Sequence, residues 1–533
     1  MMKKTLFRQS LFTLIIALLM FTLFGFGMTY IASNYDQGWI SQVFGGIQLT
    51  SVVNQWIAMA VLFVMGFVAL FPFAKKIGMT QVFLLSYLVG LLGFCLISVF
   101  LLALHIYYAF WSALAAYGVI VVAIYYFALK NDSKALRTTA DSRIKLIFWV
   151  IGFLALGFLL ARVPIMNLSF DSIQYRILGK CYAVEHHFAP YFYYEMAGRA
   201  FIPALLSSIS VFFNFEYAYA IQNMFLVNSI LLFGYLLYKQ TRTYGANKKR
   251  AKIMAGLGTA ILGTSFFVLF LGITLVPNSF TGFCFLFMMV YAYQYINKKQ
   301  SIDLGLMLFF MLAFSFTRVE APLVAAFVMA YLAHKEMDAK SILLVIGSLL
   351  GFLLLWYISF MLHVGADYEG RFLTFGKSMI NIALLVMVAG YTVIKNRFLN
   401  KHNDKLFVLF VCAVIVFTIS ASLLDIDKFL VNVRVTYLNM FAEGLWTTAW
   451  FAVGILGLIA MVITKKDNHV LEGIIPIYLF LIIAIFAFRG DNLHINWSDS
   501  GNRLLMHIYP LAVFAVADNV ISYFAKTKDA IKR

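Results

Sequence analysis

The sequence predicts an all-α, polytopic membrane protein of about sixteen spanning helices, resembling no soluble class. Three observations predict it. First, 63% of the 533 residues are hydrophobic and 12% are charged, with a mean hydropathy of +0.89. A water-soluble chain cannot hide that much apolar surface, so lipid must solvate it and its backbone must hydrogen-bond internally. Second, the apolar stretches are long and uninterrupted, whereas barrel strands alternate polar and apolar residues. Third, the basic residues gather in short runs between these stretches, the signature of cytoplasmic loops.

Taken in order, apolar windows fall at 10–32, 56–74, 80–103, 108–129, 146–162, 216–238, 253–272 and 279–296. They continue at 303–317, 319–334, 341–363, 379–394, 406–424, 444–463, 470–488 and 504–525. The first is too long for the apolar core of a signal peptide and lacks a clear small-residue cleavage site, so it reads as a span. With the N-terminus in the cytoplasm, 30 of the 41 Lys and Arg fall on the inner side and 11 on the outer. This asymmetry predicts an even number of spans, both termini cytoplasmic. It also accounts for the net charge of +18, so no nucleic-acid partner is expected. No P-loop or dinucleotide glycine fingerprint occurs. The four cysteines show no metal spacing, and three sit inside apolar runs as small core hydrophobes.

The outer charges are mixed in sign and confined to a few loops, at 163–199, 318–320, 367–377, 425–443 and 489–503. The first of these, VPIMNLSFDSIQYRILGKCYAVEHHFAPYFYYEMAGR, is the richest. If 171–182 is helical, Asp171 and Tyr175 share a face, with Arg176 adjacent. A carboxylate at a membrane boundary beside a cation can act as a general base or bind a metal, and the same residue type caps helices. Lys180 follows. Glu185-His186-His187 has the chemistry of metal ligands but not the spacing, since adjacent side chains diverge and helical zinc pairs stand three or four apart. A substrate groove lined by Glu185 or His187 fits better. The aromatic run 190–199 suits an interfacial belt or stacking on a sugar. Arg318-Val319-Glu320 interrupts an apolar stretch, which predicts a turn with a paired Arg–Glu or a polar floor to an outward cavity. Arg503, at the start of the last helix, suits a phosphate, because guanidinium donors and helix N-termini both favour anions.

The stretch 146–335 resembles the catalytic core of the GT-C superfamily, polytopic glycosyltransferases that use polyprenyl-phosphate sugars, such as protein O-mannosyltransferases and the lipid A aminoarabinose transferase. The resemblance lies in the order of parts. An outer loop opens with an acidic residue in FDSIQYR, followed by the amphipathic run FIPALLSSISVFF, a helix ending in basic residues, the hairpin VPNSF and the RVE turn. GNRLLMHIYPL resembles the family's Arg-bearing final outer segment. On this comparison 1–130 is an added module, 146–335 the core with its loop 163–199, and 341–533 the C-terminal helices with the loop 489–503. The family's paired acid is reduced here to Asp171, and Asn278-Ser279 stands where an acidic residue is common, so no cofactor is assigned.

The resemblance implies an inverting transfer of a sugar from a polyprenyl-phosphate donor to a glycan, lipid or protein acceptor. The transfer would occur on the outer face of a bacterial plasma membrane, in cell-surface glycan assembly. Asp171 is then the base that activates the acceptor hydroxyl, and Arg503 holds the departing phosphate, with Arg318 and Lys180 as reserves. Arg176, Glu320, Glu185 and His187 line the substrate, and the outer loops are expected to converge. A transporter or flippase for a lipid-linked glycan would instead place polar residues deep in several helices and carry an internal repeat. A glycan polymerase or ligase shares both the donors and the outer loops.

Overall fold

The structure, a computed structural model, describes residues 49–131, 140–162, 170–187, 202–215, 218–335, 337–364, 374–395, 405, 412, 415–416, 419, 423, 425–444, 446, 449–463, 470–487, 494–495 and 500–531. Every regular element among them is helical, as the composition requires. The helices are α1 (Leu49–Leu70), α2 (Met79–Ala103), α3 (Phe110–Asn131), α4 (Ala140–Arg162), α5 (Phe170–Glu185), α6 (Ile202–Phe212), α7 (Tyr219–Thr243), α8 (Lys248–Gly263) and α9 (Phe266–Ile273). They continue as α10 (Pro277–Lys298), α11 (Ser301–Ser315), α12 (Ala321–His334), α13 (Ala339–Val364), α14 (Phe375–Ile394), α15 (Ile426–Leu438), α16 (Ala449–Ile463), α17 (Val470–Ala487) and α18 (Ser500–Ile531).

Among the described residues eight helices are long and apolar enough to cross a membrane, and a ninth if the bent pair α8–α9 is one span. The windows 146–162, 303–317, 319–334 and 444–463 fall on shorter apolar helices, and 10–32 lies outside the described residues. The window 253–272, read as one span, is broken instead. Its halves meet at 63°, at Gly263-Thr264-Ser265, where Thr264 Oγ1 bonds back to the Ala260 carbonyl at 2.7 Å. Small residues and a hydroxyl competing for a helix carbonyl are common causes of such a kink.

The chain divides into two compact units. In the first, which holds the described residues up to Leu236 together with 259–264 and 268–277, α2 is the centre. Nearly all of it is buried, consistent with its unbroken apolar sequence. It is crossed by α1 so closely that only glycine fits at the contact. A Cβ on Gly66 would lie 1.8 Å from the Ser86 carbonyl oxygen, and one on Gly90 1.7 Å from that of Leu62. Small residues let backbones approach where lipid offers no hydrophobic drive to association. Gly78, at φ +89°, makes the turn between the two helices. Polar tethers hold the neighbours: Trp56 Nε1 donates to Leu154 O at 2.9 Å, and Tyr87 Oη to Ile221 O at 2.8 Å. Helix α3 leaves Trp111, Val119 and Val122 exposed, a face suited to lipid.

The second unit holds 237–258, 265–267 and the described residues from Asn278 onward. Its centre is α10, buried along almost its whole length. Helix starts are fixed by side chains that supply the missing acceptors. Asp338 accepts from Ser341 N before α13, Thr374 from Lys377 N before α14, and Asp425 from Lys428 N before α15. Lys395 donates to the Ala333 carbonyl at the end of α12, where a cation also complements the helix dipole.

Candidate functional site

The second unit gathers buried polar groups at three helix starts. α10 opens with Pro277, whose missing N–H costs nothing in a first turn, and then Asn278. Asn278 Nδ2 donates to the Arg503 carbonyl at 2.9 Å and lies 3.2 Å from His507 Nε2. On the other side of that imidazole, Nδ1 is 2.6 Å from the Tyr478 hydroxyl of α17. Both Asn278 and His507 are fully buried.

Two sequence features set this geometry. Pro510 in α18 has no N–H, which leaves the Met506 carbonyl, four residues earlier, without its helical donor. Facing that carbonyl is Gly282, where a Cβ would stand 2.5 Å from the oxygen. One turn before Gly282 comes Asn278; flanking Met506 are Arg503 and His507. The close approach at Gly282 thus brings the start of α10 against the start of α18. That start is held from below the first turn as well. Asn502 accepts from Trp446 Nε1 at 2.6 Å and donates to Gly444 O at 2.9 Å.

The third element is the turn between α11 and α12. Thr317 Oγ1 closes α11 on the Phe314 carbonyl at 2.6 Å, and Pro322 opens α12. Between them Arg318 grips Glu320 through two bonds, Nε to Oε2 at 3.1 Å and Nη2 to Oε1 at 3.3 Å. The Arg318 side chain is 4% exposed and that of Glu320 24%. Both lie within electrostatic reach of His507, as does Arg503, and of Tyr478. The paired turn expected from RVE is therefore present, and Arg318, Glu320 and Arg503 come together around His507. Two arginines, one carboxylate and three helix N-termini leave an electropositive locality in apolar surroundings, which suits an anion.

The remaining predicted residues belong to the first unit, to α5 and the two residues that follow it. Asp171 lies in its first turn, not before it, where an acid complements the dipole. The helix expected over 171–182 is there, and Tyr175 on the Asp171 face is buried. Ser172, Tyr175, Leu178 and Tyr182 form its buried stripe against α6. The contact is tight, since a Cβ on Gly179 would meet Ala204 O at 1.9 Å. Arg176 and Lys180 flank this stripe, half-exposed, and Val184 and Glu185 face outward. The run FIPALLSSISVFF, expected to be amphipathic, is instead buried throughout 202–210, because α5 and other neighbours cover its serine side too.

Glu185-His186-His187 ends α5. His186 has φ +62° and stops α5. Its carbonyl accepts from Tyr108 N at 2.7 Å, its Nδ1 lies 3.0 Å from Tyr108 O, and its ring stacks on Tyr107. His187 Nδ1 lies 2.5 Å from the Glu185 carbonyl. Among the described residues no three His, Cys, Asp or Glu are grouped to hold a metal. Burial pushes the Cys181 thiol above its ordinary pKa, as does the charge of Glu185. The aromatic run 190–199 and most of the loop 489–503 lie outside the described residues.

Three residues of the cluster escaped the sequence reading: Asn278 as a partner, Tyr478 and His507. The available signal was a histidine one helical turn after Arg503 inside a span, where ionisable groups mark function by default. No protein-family model, curated protein or solved structure matches the chain.

Proposed function

We propose that the chain is a membrane glycosyltransferase that moves a sugar from a polyprenyl-phosphate donor to an acceptor hydroxyl on the outer face of the membrane. The single observation that supports this reading is the buried locality at Arg318, Arg503 and the starts of α10, α12 and α18. A donor whose tail lies in the bilayer presents its phosphate at a membrane boundary. As the sugar's anomeric bond to that phosphate breaks, negative charge grows on the phosphate oxygen, and fixed donors in a low-dielectric setting stabilise it most. In the same step the acceptor oxygen bonds to the anomeric carbon from the opposite face, with inversion, and its proton passes to a carboxylate. Asp171 is the residue assigned that role from sequence. The proposal keeps about sixteen spans with cytoplasmic termini, and the core over 146–335.

The experiment is transfer from a polyprenyl-phosphate sugar in liposomes, with donor binding measured separately. Arg503→Ala should weaken donor binding and turnover together, because a phosphate contact exists in ground and transition states. Asp171→Asn should keep binding and lose roughly 10²–10⁴ in rate, the usual cost of a general base. Translocation of a lipid-linked glycan with no glycosidic product would refute the reading in favour of a transporter.

A further inference from the structure

We infer that the start of α8 is a docking surface for an anionic phospholipid. The surface belongs to the second unit and uses none of the residues around His507. Tyr244, in the turn before α8, donates to Asp518 Oδ2 at 3.2 Å. Asp518 follows Arg503 by fifteen positions on α18, about 22 Å along a helix, so the surface lies near the opposite end of that helix.

Four cations stand there within about one and a half turns: Lys248, Lys249, Arg250 and Lys252, all exposed. No Asp or Glu occurs between Glu216 and Asp303, so the sequence supplies no local counter-charge. The fold supplies none either. Asp303 interacts with Lys239 and Lys298, Asp338 with Lys299, and among the described residues none of the four cations enters an ion pair. The backbone that carries them is fixed. Gly245 turns at φ +80°, the Arg242 guanidinium donates to the Ala246 carbonyl at 2.5 Å, and Asn247 Oδ1 caps α8 by accepting from Arg250 N at 2.9 Å.

The partner must match what surrounds the charge. α7 is long and apolar enough to cross a membrane, and α8 is the first half of a bent pair with the length and hydropathy of one span. Only residues 244–247 join them, which keeps the cations at the water–lipid boundary. On α8, Lys249 is followed at i+4 and i+8 by Ile253 and Leu257, which are 51% and 57% exposed. Ala251 and Ala255 are buried on the opposite face. One outward face therefore carries a cation and, over the next two turns, branched aliphatic groups. A phosphodiester with acyl chains meets both: its charge pairs with the lysines and its chains lie along Ile253 and Leu257. An acidic protein or a free anion uses the cations alone. A zwitterionic lipid brings an ammonium that the cluster repels.

The test is native mass spectrometry of the detergent-solubilised protein, titrated with phosphatidylglycerol or with phosphatidylcholine of the same chains. Wild type should prefer phosphatidylglycerol by at least about tenfold. The double variant Lys249→Gln/Lys252→Gln should lose about 25-fold in phosphatidylglycerol affinity, at about fivefold for each cation, and keep its phosphatidylcholine affinity. Lys76→Gln/Lys340→Gln removes the same charge from exposed positions elsewhere and should stay within about twofold of wild type, since distant charges are screened. Equal loss in the two double variants would reduce the effect to net charge and overturn the inference, as would a wild type without headgroup preference. Displacement of the bound lipid by millimolar inorganic phosphate would make this a free-anion site and overturn it too. Each of these outcomes leaves the sugar-transfer reading untouched.

Discussion

Replacing Gly282 by alanine should unfasten the candidate site without touching any polar group in it. The added Cβ would sit 2.5 Å from the Met506 carbonyl oxygen, whereas ordinary contact begins at 3.4 Å. The obstacle is backbone and cannot swing away, so α10 and α18 must part by roughly 0.9 Å there, the difference between those distances. Asn278 lies one turn along the same helix. Its 2.9 Å bond to the Arg503 carbonyl would then stretch beyond the range of a hydrogen bond. Overpacking costs about 1–3 kcal/mol and the lost bond about 1 kcal/mol more. The expected loss is thus about 2–4 kcal/mol, against a gain of up to about 1 kcal/mol from alanine's better helix propensity. Gly305→Ala is the control, because nothing lies within 4 Å of its Cβ. Reversible unfolding in mixed detergent micelles, followed by circular dichroism, would compare the two. If Gly282→Ala unfolds at the same denaturant fraction as Gly305→Ala, the close approach of α10 and α18 is wrong, and with it the account of how Asn278 reaches His507.

The same logic at the α1–α2 crossing predicts a larger effect. Gly90→Val, with its first carbon 1.7 Å from the Leu62 carbonyl, should cost more than about 3 kcal/mol and show as lost expression or lost cooperative unfolding of the full chain. Acid stability should depend on Asp338. Burial raises its pKa, but bonds from Tyr295 and Ser341 and the charge of Lys299 outweigh that and hold it below the ordinary carboxyl value. A depressed folded pKa means stability that is complete above the unfolded value, about 4, and drains away as pH falls through the folded one. Tyr295→Phe, which removes a 2.7 Å bond, should therefore lower stability at neutral pH and flatten its fall below about pH 4. An unchanged acid profile would show that Tyr295 does not set this carboxyl.

The helices were legible in the sequence because their cause is local. A run such as 80–103 can only be a buried helix in a chain this apolar, and FDSIQYRILGKCYAVE shows its buried stripe in its own spacing. The RVE turn was legible for the same reason: two opposite charges, two residues apart, in an apolar stretch must find one another. The bend at Thr264 was not, because it hangs on one hydroxyl bonding back to Ala260, and many threonines do so without bending a helix. Partnership at the site was hidden for a further reason. Asn278 and Arg503 are 225 positions apart, and nothing in either neighbourhood marks the other. An asparagine inside an apolar run looks the same whatever becomes of it. Asn381 donates to Tyr357, and Asn502 uses both ends of its amide on Trp446 and Gly444. Those two are accounted for by the fold. Asn278 uses its nitrogen twice and leaves its oxygen bare, and only the geometry separates it from the others. An internal amide with both ends engaged is evidence of stability alone. A bare amide oxygen is not particular to Asn278, since Gln222 also spends its nitrogen on two carbonyls and leaves its oxygen over, and a buried water satisfies such groups in native proteins.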